Sequence, residues 1–397
     1  MNCTARSATA ARWLAYCGLP LLCACQQATI KPLDRDSSPS ILAYHESVVP
    51  AEHKDYALTE LQRGLLFFDL GDFLDADRRF ANACEVMDRI AGDQQRETTA
   101  ILWSEESKTY KGEPHERATA YVYRGLCRYK LKDYAGALAA FRHSLACTAE
   151  TRTKDQKTLE NFAIGHVLAA LCYLQLGERE NAQAALNVAR QYNADHPFLD
   201  AQSLGRSFVA VIAVGQGPYL RPSRLDSSIK QVDCPACAEA RIDVLIDGVS
   251  IGEAAETTDL FEQAKSQGWG EMDSVRLTKA VAKRAISYVP YVGMASYLIQ
   301  AQADLRCWAG LPRKYYVVAA DVAPGLHSVT LRFLSDKGDV LPRYEQVWFD
   351  VPVAEGSNLL CFRSVPDAQN CYGLTAQPIG VVNDNGQNAL AQGGAAP

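Results

Sequence analysis

The chain predicts an α+β, multidomain fold: an N-terminal array of helical repeats followed by a β-sandwich-like domain that carries a helical insertion. Two observations lead to it. Residues 52–200 contain a Gly/Ala/Phe pattern that recurs three times at helical spacing. Near Ser207 the period changes, and short apolar or alternating runs separated by Gly, Pro and Asp take over. With 397 residues there is enough chain for two cores.

The first 24 residues have the three parts of a secretion signal. Arg6 and Arg12 form a positive start, Trp13 to Leu22 is mostly apolar, and small residues then lead to Cys25. Leu22-Cys23-Ala24-Cys25 resembles the lipobox of bacterial lipoproteins. The resemblance implies cleavage before Cys25 and lipid on its thiol and new amine, and hence a membrane partner through that lipid. Gln26 stands where Asp would signal inner-membrane retention, so the expected location is the periplasmic face of the outer membrane. Residues 25–51 read as a polar tether with Pro32, Pro39 and Pro50, spanning roughly 25–30 Å if flexible. No later apolar run reaches 18 residues, so no spanning helix is expected.

The repeats follow. Gly64, Leu70-Gly71-Asp72-Phe73, Ala76 and Phe80 make one copy. Gly125, Lys132-Asp133-Tyr134, Ala137 and Phe141 make the second, and Ala170, Leu176-Gly177-Glu178, Ala182 and Leu186 the third. They resemble the tetratricopeptide repeat. Gly64 and Gly125 fall where paired helices cross closely, the alanines at the tight contact, and Phe80, Phe141 and Leu186 in the space towards the next repeat. Gly71 and Gly177 suit a left-handed helix end, where the middle copy has Lys132. Gly64 to Gly125 is 61 residues, against a period of about 34, so extra chain lies near 90–116 and 147–160. Stacked repeats leave a face open to a peptide or protein. In the middle copy the expected partner-binding residues on that face are Val122, Leu126, Tyr129 and Lys130. Cys84, Cys127 and Cys172 fall on apolar helix faces and read as buried small hydrophobes.

Residues 205–370 read as β-rich. Strands are expected at Phe208 to Val214, Ala240 to Ile246, Tyr315 to Val322, Ser328 to Phe333, Glu345 to Val351 and Asn358 to Phe362. A helical insertion is expected at about 259–303. Within it, Lys279 to Gln302 mixes basic residues with Tyr288, Tyr291 and Met294, which suits packing on the β domain, a partner contact or a membrane surface. Pro324-Gly325-Leu326-His327-Ser328-Val329 resembles the turn of PEGA-type surface modules, where it is structural. Residues 371–397, rich in Gly, Asn, Gln and Ala, are expected to be a disordered tail.

Little in the chain points to catalysis. No histidine has metal or nucleophile spacing, no nucleophile elbow appears, and Gly215-Gln216-Gly217-Pro218 is too short for a dinucleotide loop. No cofactor or metal is expected, and the reading is not an enzyme. Removing the signal takes the net charge from −6 to −8, which argues against nucleic acid. Cys234-Pro235-Ala236-Cys237 reads as a local disulfide or inert thiols, with a redox dithiol or half of a zinc site as the rival. Cys361 and Cys371 are a second possible disulfide, across the turn at Pro366. A glycan-binding β domain is a further alternative.

Three segments carry a wider resemblance: Tyr110-Lys111-Gly112-Glu113-Pro114-His115-Glu116-Arg117, Val214-Gly215-Gln216-Gly217-Pro218-Tyr219, and Asp304-Leu305-Arg306-Cys307-Trp308 followed by Leu311-Pro312. In that order they look like an uncharacterised family of Gram-negative lipoproteins with a tetratricopeptide region and a C-terminal β domain. The resemblance implies a scaffold in the cell envelope holding a protein or peptide partner, and an association with activators of peptidoglycan synthases.

Overall fold

The structure, a computed structural model, describes residues 50–92, 109–149, 162–222, 230–237, 239–265, 304–342 and 345–364. The signal, Cys25, the tether up to residue 49, nearly all of the 259–303 insertion, Cys371 and the tail lie outside the described residues.

Six helices form three hairpins, and each helix packs on its successor: α1 (Tyr56–Asp69) with α2 (Phe73–Gly92), α3 (Pro114–Lys130) with α4 (Tyr134–Ala149), and α5 (Ala163–Gln175) with α6 (Arg179–Tyr192). The glycine positions explain the tight crossings. A methyl on Gly125 would sit 2.4 Å from the Phe141 ring, and one on Gly64 would sit 2.9 Å from Phe80. Ala76, Ala137, Ala182, Phe80, Phe141 and Leu186 are all fully buried. Phe80 also stacks on Tyr123 of the next hairpin, with ring centroids 5.7 Å apart. The three hairpin turns share one geometry. Gly71, Lys132 and Gly177 have φ of 78°, 62° and 79°. The residue after each donates its N–H to a carbonyl five positions back, on Phe67, Arg128 and Tyr173. That pattern satisfies carbonyls left over at a helix C-terminus.

The strands are β1 (Phe208–Gln216), β2 (Tyr219–Pro222), β3 (Lys230–Asp233), β4 (Arg241–Ile246), β5 (Val249–Asp259), β6 (Pro312–Ala320), β7 (Gly325–Leu334), β8 (Gln346–Val353) and β9 (Asn358–Ser364), with the short helix α7 (Leu260–Ala264) after β5. β2 and β3 pair as a separate ribbon. The other seven form one sheet in the order β8-β7-β4-β5-β6-β1-β9, antiparallel except for the β1–β9 pair. A two-sheet sandwich is therefore not what forms. The sheet curls until its terminal strands approach, with the Trp348 and Phe362 ring centroids 4.7 Å apart. One core, including Ile212, Val244, Val318, Leu331 and Phe333, fills the inside.

The helical array takes the place of a second sheet. Val209, Val211, Tyr315, Val317, Leu359 and Cys361, on the outer face of β1, β6 and β9, share a core with the helices. Strands buried on both faces lose alternation and read as continuous apolar runs, as β1 and β9 do. β4 and β7 show the alternation of a half-buried sheet. Between β4 and β5, Asp247 and Gly248 both have positive φ, the requirement of a two-residue hairpin turn. The Asp247 carboxylate accepts from Ser328 N and contacts His327 Nδ1 at 2.6 Å, so the Pro324–Val329 turn does structural work.

Candidate functional site

The four residues expected to meet a partner are covered by the chain itself. Val122, Leu126, Tyr129 and Lys130 are at most 9% exposed. Lys130 Nζ donates to the Leu359 carbonyl of β9, and burial lowers its pKa. The correction has a simple cause: the apolar face of the array and the outer face of β6–β1–β9 both need cover, and each covers the other.

A buried ion pair lies in the same interface. Arg363 on β9 reaches Asp69 at the end of α1, 3.1 Å away, and donates to the Gly310 carbonyl at 2.8 Å. Burial pushes the Asp69 carboxyl up to about 6, with Arg363 opposing the shift. The phenols of Tyr123 and Tyr315 adjoin this pair, both pushed upward by burial. Asp69 and Arg363 are 294 positions apart, and neither sits in a motif, so no signal in the sequence joins them.

The three segments behind the family resemblance meet in space. Pro114 opens α3, and Glu113 and Glu116 close a reciprocal capping box around its first turn. Glu116 Oε2 accepts from Glu113 N at 2.7 Å, and Oε1 accepts from Trp308 N at 2.6 Å. Gly217 N donates to Leu311 O at 2.8 Å. Glu113, His115 and Glu116 face Pro218, Tyr219 and Cys307 across a crevice too narrow to admit a water molecule. Trp308 is fully buried against Phe80 and Tyr123. Beside it, Arg306 pairs with Asp304 and Asp55. Burial pushes Glu116 up to about 7, reinforced by Glu113 and opposed by its two N–H donors. This is a clamp that locks three distant segments together.

Among the described residues the cysteines are all free thiols. Cys234 and Cys237 are free thiols with separate acceptors: the Gln216 carbonyl at 3.4 Å and the Glu239 carboxylate at 3.3 Å. Of the two forms expected for this pair, a local disulfide or inert thiols, the structure holds the thiols. Burial pushes Cys234 up to about 11, opposed by Arg313, and Cys237 up to about 12, reinforced by Glu239. A reactive thiol needs the opposite shift. Among the described residues no group of three His, Cys, Asp or Glu is placed to hold a metal. Cys361 is a buried free thiol, and its expected partner Cys371 lies outside the described residues. Cys84, Cys127 and Cys172 are buried in the helical core.

No protein-family model matches the chain, and no curated protein matches it. Among solved structures it is similar to MamA, at 15% identity and a TM-score of 0.27, over 40% of this chain and 71% of that one. It is also similar to the apo form of RapI, at 17% identity and a TM-score of 0.29, over 42% of this chain and 41% of that one.

Proposed function

We propose that the protein is an outer-membrane lipoprotein, anchored through Cys25, that works as a non-enzymatic protein-interaction scaffold in the cell envelope. The observation that carries the scaffold reading is the use made of the buried ionisable groups. Glu116, Asp69 and Lys130 each bond a segment far away in the chain, so they serve architecture. The free thiols at Cys234 and Cys237 are held protonated by burial, which weighs against the redox rival.

With the inner face of the array occupied, a partner protein is left the edge formed by the hairpin turns. Leu70, Leu131 and Leu176 hold the same position in the three hairpins and are 38–41% exposed, while Leu74 beside them is 70% exposed. An apolar row rimmed by Asp72, Asp133 and Glu178 suits a partner with apolar anchors and a basic rim. The link to peptidoglycan synthesis rests on the sequence resemblance.

The test is photo-crosslinking in intact cells from Leu74 and Leu131, with buried Leu126 as control. A specific envelope protein should be captured from the first two positions and lost in Cys25→Ala. A Cys25→Ala protein that stays membrane-bound, or one that is released yet keeps full function, would overturn the anchored reading. Capture of nothing beyond background from either leucine would overturn the turn-edge surface.

A further inference from the structure

His327 faces an acceptor with each of its ring nitrogens. Nδ1 lies 2.6 Å from the Asp247 carboxylate, and Nε2 lies 2.8 Å from the Ala323 carbonyl. A carbonyl only accepts, and so does an ionised carboxylate. Hydrogen bonds from His327 and Ser328 keep the Asp247 carboxyl below its usual range, so it is ionised at neutral pH. A neutral imidazole carries one N–H, and one of the two contacts would then set lone pair against lone pair. Only the imidazolium donates to both partners. The His327 side chain is 14% exposed, which leaves water little room to replace a lost partner.

The two contacts tie together separate pieces of chain. Asp247 belongs to the β4–β5 turn and also accepts from Ser328 N at 2.8 Å. Ala323 belongs to the loop from β6 to β7. One residue earlier, Val322 N donates to the Ser207 hydroxyl at 2.7 Å, and that hydroxyl donates to Val322 O at 2.8 Å. The loop is thus fixed at Ser207, just before β1, and again across the His327 ring. The sheet itself grips residues 323–326 weakly. Leu326 stands opposite Pro352, which has no N–H to give, and the register slips between His327 and Val329. The charged groups on the elements around the ring are Asp247, Asp321 in the same loop, and Asp350 and Glu355 on the β8 side. Asp321 pairs with Arg206 at 3.8 Å, and Asp247 alone of the four contacts the ring. The bond to Asp247 raises the His327 pKa above the ordinary 6.5, burial opposes it, and the Ala323 carbonyl adds to it.

We propose that His327 is a pH-operated latch: as an imidazolium it pins the β6–β7 loop to the β4–β5 turn, and on losing its proton it releases the loop. Deprotonation leaves the ring one N–H. The Asp247 carboxylate is charged and is the stronger acceptor, so it keeps that proton. The contact between Nε2 and the Ala323 carbonyl is the one that fails. Residues 323–326 then lose their tie across the ring, and with them Leu326, which is 66% exposed. The turn stays, because Asp247 still accepts from Ser328 N. A raised folded pKa means that folding favours the protonated ring. The pinned form is complete below about pH 6.5 and is lost as pH rises through the higher folded value.

Nuclear magnetic resonance of the full chain tests it. The His327 ring should titrate with a midpoint above about 6.5, with both nitrogens protonated below it. About two pH units below the midpoint, the backbone order parameters of Gly325 and Leu326 should be about 0.85, as in rigid structure. About two units above it they should fall below about 0.6, while Phe333 in the same strand stays at about 0.85. Asp247→Asn should bring the midpoint down towards about 6.5. His327→Phe keeps a ring but offers no N–H, so its loop should be mobile at both pH values. A wild-type midpoint at or below about 6.5 would overturn the latch. So would loop order that does not change across the midpoint, or Phe333 loosening together with the loop. A midpoint unmoved by Asp247→Asn, or a pH-dependent change that survives His327→Phe, would overturn it as well.

Discussion

At Gly125 a hydrogen is all that fits: a methyl there would stand 2.4 Å from the Phe141 ring. Gly125→Ala should therefore destabilise by about 1–3 kcal/mol, despite alanine's better helix propensity, because the helices cannot part without opening a packed core. A fall in the urea midpoint at unchanged slope would show it. Glu116 poses the opposite problem, a carboxyl buried where three segments meet. Its folded pKa of about 7 lies above the ordinary 4.5, chiefly through burial and then through Glu113. The protonated form is thus the one folding favours. Its stabilising contribution is complete below about pH 4.5 and is lost as pH rises through about 7. Glu116→Gln should flatten the stability profile across that window, by roughly 1.4 kcal/mol for each pKa unit removed. Denaturant melts at pH 5 and pH 8 read it directly, and an unchanged pH slope would refute it.

Within the elements, the three hairpin turns repeat one hydrogen-bond pattern, but the middle one is built with Lys132 at φ 62° where the others have glycine. Lys132→Gly should stabilise by about 0.5–1 kcal/mol by removing the penalty of a left-handed side-chain-bearing residue, visible as a higher thermal midpoint. These turns were legible in the sequence because they are local: Gly71-Asp72 and Gly177-Glu178 show both the helix end and the next helix start. β1, β4, β6, β7, β8 and β9 were legible for the same reason. β5 was not. Val249-Ser250-Ile251-Gly252-Glu253-Ala254-Ala255-Glu256 has no clean alternation, and two register shifts, against β4 and β6, break what little there is. Its strand form is imposed by β4 and β6 on either side, a tertiary effect that propensity does not carry. Tyr110–Arg117 and Asp304–Trp308 were legible as motifs, but their meeting was not, because Glu116 and Trp308 lie 192 positions apart.

At the scale of the molecule, the open face of the array was legible in the repeats and the strands of the sheet in their apolar runs, but the packing of one on the other was not, because the contacts join residues some two to three hundred positions apart. That pairing sets how the protein unfolds. An interface that is large and apolar makes its two sides one cooperative unit, and here the shared core also holds Trp308 between Phe80 and Tyr123. Near-UV circular dichroism, reporting the aromatic interface, and far-UV circular dichroism, reporting the helices, should therefore melt together. A fragment ending at residue 205 should lack a cooperative transition. The buried Asp69–Arg363 pair gives a sharper test. Arg363→Met leaves the Asp69 carboxylate buried without its counter-ion and should cost about 3–5 kcal/mol at neutral pH. Arg363 is what holds the Asp69 carboxyl down to about 6, so without it the carboxyl takes up its proton at higher pH; the loss should shrink as pH falls towards about 6 and level off below it, where Asp69 is protonated with or without its partner. Adding Asp69→Asn removes the orphaned charge and should recover most of the loss, a coupling that a double-mutant cycle measures. Additive losses from the two changes, independent of pH, would mean that helices and sheet are held by apolar contact alone and that the ion pair only fixes their register.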